Sequence, residues 1–113
     1  MITIKIDDAS LQKKLEQLIK NAPQIEQEIV ETAGTKAVGI AKDLVPVDTG
    51  ALKESITLEI EQSQATISSS LEYAAPVEYG TSRQAAQPYM RPAAEEVRRQ
   101  LPGIAKAVFR QND

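Results

Sequence analysis

Residues 23–46 read PQIEQEIVETAGTKAVGIAKDLVP. Ile25, Ile29, Ala33, Ala37, Ile40, Ala41 and Leu44 recur at helical spacing, which predicts a helix over about 24–44 with one apolar stripe. Pro23 suits the first turn, and Pro46 ends the helix because the residue before a proline avoids helical geometry. The stripe is built from small residues, with Gly34 and Gly39 beside it. Each glycine costs about 1 kcal/mol relative to alanine in a helix interior. Either a sheet or another helix packs close there, or the glycines are simply tolerated.

Outward from this helix the period changes. Ile56, Leu58 and Ile60 alternate with Thr57, Glu59 and Glu61, and 65–71 supplies a returning strand after a Gln62-Ser63-Gln64 hairpin loop. At the other end Ile2, Ile4 and Ile6 alternate with Thr3 and Lys5, a short half-buried strand. Leu11, Leu15, Leu18 and Ile19 share a helical face, with Asp8 or Ser10 as cap. One helical turn is expected over 51–55, capped by Asp48 or Thr49. Tyr73 to Gly80 reads as a short helix with Pro76 in its first turn and Gly80 as terminator. Residues 81–87 are polar and aperiodic, a mobile loop by composition. Pro88 and Pro92 bracket the start of a last helix whose apolar face is Ala93, Val97, Leu101, Ile104, Ala105 and Val108. Pro102-Gly103 falls inside it. An internal proline costs about 3 kcal/mol, so a kink or break is expected. The fold class is α+β: a small antiparallel sheet of three to four strands with two or three longer helices packed on one face, in a single domain over 1–113.

The 113 residues hold neither Cys nor His, which removes disulfides, thiolate chemistry, imidazole bases and the usual zinc sites. No cofactor or metal is expected. The first six residues are too short and alternating for a signal peptide, and no apolar run is long enough for a membrane helix. A soluble chain made in the cytoplasm is expected. Net charge is −3, yet Arg83, Arg91, Arg98, Arg99, Lys106 and Arg110 gather in the last third. Either they are solvated faces, or they complement a neighbouring copy in an assembly. A nucleic-acid-binding module using the basic C-terminal helix is the alternative function, although no aromatic residues interleave the cations for base stacking. Catalysis would have to rest on carboxylates, of which Glu78 and Asp48 are the candidates. A structural role explains both better: Asp48 as a helix cap, Glu78 as the partner of a base such as Arg83 or Arg91. Gly50, in the Asp48-Thr49-Gly50 turn, would resist substitution by valine if its φ were positive.

Two segments resemble a known family. One runs from Ala41 to Ile56 and contains Pro46-Val47-Asp48-Thr49-Gly50-Ala51-Leu52; the other is Tyr73-Ala74-Ala75-Pro76-Val77-Glu78-Tyr79-Gly80-Thr81, followed by Pro88-Tyr89-Met90-Arg91-Pro92-Ala93. Their order and spacing resemble the gene-product-ten-like family of long-tailed phages and prophages, the tail-completion or head–tail joining neck proteins, over about 37–97. The resemblance implies a non-enzymatic virion subunit at the neck, without cofactor. It implies partners among head-connector and tail proteins and a homo-oligomeric ring, with no membrane and no sequence-specific nucleic acid. Pro102-Gly103 departs from the family, whose last helix usually continues. The family-motif residues Pro46, Asp48, Thr49, Gly50, Leu52, Tyr73, Val77, Glu78, Tyr79, Gly80, Thr81, Pro88, Tyr89, Met90, Arg91, Pro92 and Ala93 are the expected interface. Tyr73, Tyr79, Tyr89 and Met90 are expected to be exposed there, since such residue types favour interfaces; the other reading is that the tyrosines close a small core.

Overall fold

A computed structural model describes residues 1–8, 11–46 and 50–112. The order is β1 (Ile2–Asp7), α1 (Lys13–Lys20), α2 (Pro23–Leu44), α3 (Gly50–Ser55), β2 (Thr57–Ile60), β3 (Gln64–Ser69), α4 (Ala74–Tyr79) and α5 (Met90–Gln111). The strands form an antiparallel sheet of order β1-β3-β2. Its register aligns Ile4, Ile67 and Leu58 in one row and Ile6, Ala65 and Ile60 in the next. The alternation read from the sequence therefore becomes one apolar face. The opposite face carries Lys5, Thr66 and Glu59 in one row, and Thr3, Ser68 and Thr57 in another.

Helices α2 and α5 cover the apolar face and pack on each other. They run antiparallel, because Asn112 after α5 donates to Glu28 near the start of α2 (3.0 Å). Ile29, Ala33, Ala37 and Ala41 of α2 meet Ala93, Val97, Leu101 and Ala105 of α5 in the core. Small residues on the α2 stripe let the helix sit close to the sheet. A Cβ on Gly34 would lie 2.8 Å from the Ala65 Cβ and 2.7 Å from Leu58 Cδ1. Gly39 meets nothing within 4 Å. The two glycines thus have different explanations: close approach at Gly34 and tolerance at Gly39.

Several expectations need correction. Leu18 and Leu44 are exposed, because α1 and α2 turn those positions away from the core, and Val45 is buried in place of Leu44. Val45 is the extended residue (ψ 141°) that Pro46 demands. Leu11 is buried but precedes α1, which begins at Lys13 without a side-chain cap. Asp8 is buried in an ion cluster and does not cap α1; Ser10 lies outside the described residues, as do Asp48 and Thr49. Gly50 opens α3 without a positive φ, so the condition placed on Gly50→Val is not met. Helix α5 shows no break at Pro102-Gly103. Both residues are exposed, while Leu101, Ile104 and Ala105 remain buried. Packing of the apolar face outweighs the local proline cost.

Candidate functional site

The motif residues converge where α4, the 80–88 segment and the start of α5 meet. Helix α5 begins without a side-chain cap from its own N-cap residue, Tyr89. The first backbone N–H groups of a helix have no partner within it and attract negative charge. Glu78, on α4, supplies that charge. It is 0% exposed. Its Oε1 accepts from the N–H groups of Tyr89 (3.0 Å) and Met90 (2.8 Å), and its Oε2 from Arg91 (3.0 Å). The expected ion pair with the Arg91 or Arg83 side chain is replaced by these three backbone bonds. The Arg91 guanidinium instead lies 5.4 Å above the Tyr79 ring. A carboxylate so enclosed and so engaged cannot exchange protons with a substrate, which removes Glu78 as an acid–base candidate.

The residues around Glu78 build its cradle. Gly80 has φ +79°, and a Cβ there would meet the Ala86 nitrogen at 2.8 Å, so glycine is required. Thr81 Oγ1 accepts from the N–H groups of Arg83 (3.2 Å) and Gln84 (3.1 Å). Thr81 N–H donates to the Gln84 carbonyl (2.9 Å), and Gln87 N–H to the Val77 carbonyl (2.8 Å). The segment expected to be a loop is without helix or strand, but these bonds fold it back onto α4. Tyr89 and Met90, expected at the surface, are both buried, and Tyr89 donates its hydroxyl to the Ala74 carbonyl (3.3 Å). Burial, then the neighbouring Glu78 charge, then Tyr73, push the Tyr89 hydroxyl up to about 12. Their burial follows from the cap: holding the first turn of α5 against α4 turns Tyr89 and Met90 inward. Ala93 is buried one turn on, and Pro92 is half-buried in that first turn.

The first motif block joins the same end. Leu52 is fully buried. Ser55 Oγ donates to the Leu52 carbonyl (2.6 Å) and shares a hydrogen with the buried Ser69 hydroxyl (2.6 Å), tying α3 to β3. Pro46 faces Tyr73, Pro76 and Val77 across a shallow cleft of ≈ 260 Å³. The Met1 amine donates to the Leu71 carbonyl (3.0 Å), which brings Met1 here as well. Four exposed large apolar side chains therefore share one end of the molecule: Met1 (73%), Leu44 (46%), Tyr73 (40%) and Tyr79 (55%). Pro88 is exposed beside them.

With this geometry in view, a family comparison is decisive. Residues 9–80 match the model of the family described as "Bacteriophage HK97-gp10, putative tail-component". The chain belongs to the HK97-gp10-like family. The match spans the first motif block and the second up to Gly80, so Thr81 and the Pro88–Ala93 block lie beyond it. The chain matches no curated protein and no solved structure. As a member of this tail-component family it has a structural role in a phage particle.

Three of the six clustered cations are engaged within the chain. Arg91 stacks on Tyr79, Arg98 donates to the Lys5 carbonyl (2.8 Å), and Arg99 pairs with Glu96. Arg83, Lys106 and Arg110 are exposed. Among the described residues no three carboxylates gather to hold an ion, and no helix is long and apolar enough to cross a membrane.

Residue-type reasoning missed the second polar cluster, at the opposite end. Asp8 and Glu26 are both buried beside Lys20, whose Nζ lies 3.3 Å from Asp8 Oδ2 and 2.8 Å from Glu26 Oε2. Gln62 donates to Glu26 Oε1 (3.2 Å) and to the Pro23 carbonyl (2.7 Å). The four residues come from four different elements and fall in turns or at helix ends, so only the tertiary fold reveals the group.

Proposed function

We propose that this HK97-gp10-like chain is a non-enzymatic virion subunit at the phage neck, completing the tail or joining it to the head through homo-oligomeric contacts. The observation that supports this reading is the apolar end formed by Met1, Leu44, Tyr73 and Tyr79. Water contact with four large apolar side chains at one end of the molecule is unfavourable, and exposed apolar clusters mark protein contact sites. The end is also rigidly built. Three charge-assisted hydrogen bonds accepted by Glu78 fix α4 relative to α5, so Tyr73, Tyr79 and Arg91 are held in place before any partner arrives. Tyrosine and arginine are the types that dominate binding energy at such sites.

The test is localisation in assembled particles. An epitope on the exposed C-terminal end of α5, far from the apolar end, is labelled with gold and viewed by electron microscopy. Label confined to the head–tail junction, several copies per particle, is the expected result. Label spread along the tail shaft would overturn the neck assignment while leaving a tail component. Particles without label, from a tagged gene that still supports assembly, would overturn both.

A further inference from the structure

The cluster at the other end joins four elements at one nitrogen. Asp8 follows β1, Lys20 ends α1, Glu26 lies in the first turn of α2, and Gln62 sits at the β2–β3 turn. Two buried carboxylates share a single ammonium. Such a group is balanced only when one carboxyl keeps its proton; with both ionised it holds one uncompensated buried charge. We propose that this junction is a pH-sensitive latch, which holds α1 against the body of the protein and loosens as the second carboxylate ionises.

Among the described residues, Asp7 is a further carboxylate lining the same hollow as Asp8. From α2, Asp8 faces Glu26 and the apolar Ile29 and Val30; from α5 it faces Leu101. On α1, Lys20 is flanked by Lys13 and Glu16 at the surface. On α5, Arg98 donates to the Lys5 carbonyl on β1. From the hairpin comes only the neutral Gln62 amide, and it serves Glu26. Burial first, then a hydrogen bond to Glu26, raises Asp8 to about 6. Glu26 moves the other way: burial pushes it up, but hydrogen bonds from Asp8, Lys20 and Gln62 outweigh that and leave it lowered. Of the two, Asp8 is accordingly the carboxyl that keeps its proton in mildly acidic solution.

The signs follow by linkage. Asp8, with its folded value raised, stabilises the closed latch fully below the ordinary carboxylate value of 3.8 and loses that contribution as pH rises through about 6. Glu26, with its folded value lowered, contributes above its ordinary 4.5 and loses the contribution as pH falls through its folded value. The latch is therefore tightest in mildly acidic solution and opens toward neutral and alkaline pH. Helix α1 is the element that responds. It has eight residues, too few for independent stability in water. Ile19 is its one fully buried side chain, Leu15 is half-buried and Leu18 is exposed.

Native-state hydrogen exchange on the full chain, read by NMR amide by amide, tests the proposal. After correction for intrinsic exchange, α1 amides should open about tenfold more often at about pH 8 than at about pH 5. Core amides such as those of Ala37 and Val97 should keep their protection. Asp8→Asn should make α1 protection independent of pH across this range and raise it at about pH 8. Glu26→Gln should move the Asp8 titration, followed by its carboxyl carbon, down toward the ordinary range. A wild-type Asp8 carboxyl that titrates near 4 would overturn the proposal without any variant. So would equal loss of protection in α1 and core, which would mean global destabilisation, or an Asp8→Asn protein whose α1 still opens with rising pH.

Discussion

At the residue scale, Glu78 makes the sharpest case. Its two oxygens serve three backbone donors in a site closed to water. Removing the side chain leaves those donors without a protein acceptor, and bonds to a charged group are worth more than neutral ones. Glu78→Ala should destabilise the protein by about 3–4 kcal/mol and Glu78→Gln by about 2 kcal/mol, measured by urea unfolding. A loss under about 0.5 kcal/mol in both would show that the cap is not needed. The glycines offer a paired test in which the sequence alone cannot choose the sign. Gly34→Ala should destabilise by about 1–2 kcal/mol because the Ala65 Cβ blocks the new methyl. Gly39→Ala should stabilise by up to about 1 kcal/mol, since the space is open and alanine favours the helix. Thermal unfolding of both variants would show opposite shifts in Tm. The same limit governs the tyrosines. Tyr73, Tyr79 and Tyr89 look alike in the chain, but only the packing of α4 on α5 decides that Tyr89 is buried and the other two are not.

At the element scale, Pro102 tests how far packing overrides local preference. Helix α5 runs through it with Leu101, Ile104 and Ala105 still buried. Pro102→Ala restores a backbone donor on an exposed position and removes the ring's conflict with the preceding turn. It should raise stability by about 1–3 kcal/mol in urea unfolding, with no gain in helical circular dichroism beyond about one turn. A large gain would mean that the helix is interrupted in solution. The elements themselves were legible wherever a period of two or 3.6 ran for several residues: β1, the β2–β3 hairpin, α2 and α5. Even the short α4 was readable, because Pro76 and Gly80 punctuate it. What could not be read was what each element rests on. The exposure of Leu18 and Leu44 depends on which face each helix turns to its neighbours. The charge partner of Glu78 was sought among arginine side chains, because a sequence displays side-chain charges and hides the partial charge of a helix terminus. The Asp8–Lys20–Glu26–Gln62 junction was invisible for the related reason that each member has an ordinary local role.

At the scale of the whole molecule, the shape separates two functions. The chain measures 50 × 22 × 18 Å with a radius of gyration of 15.2 Å, against about 13 Å for a compact domain of this length. Two antiparallel 22-residue helices set the long axis. The motif-bearing apolar end and the buried ion cluster therefore lie at opposite ends, and a change at one should leave the other undisturbed. Tyr73→Ser with Tyr79→Ser removes two exposed rings and leaves the Glu78 cap, Tyr89 and the core in place. Urea unfolding should show a change within about 0.5 kcal/mol, as for other exposed positions. Incorporation into particles, measured by mass spectrometry of purified virions, should fall at least about thirtyfold if these tyrosines act as central binding residues worth about 2 kcal/mol. Lys106→Ala with Arg110→Ala, also exposed but at the far end of α5, is the matched control and should be incorporated normally. The opposite pattern, with the tyrosine variant incorporated and the charge variant excluded, would move the contact surface to the basic end of α5. The apolar end would then have to be explained by something other than assembly.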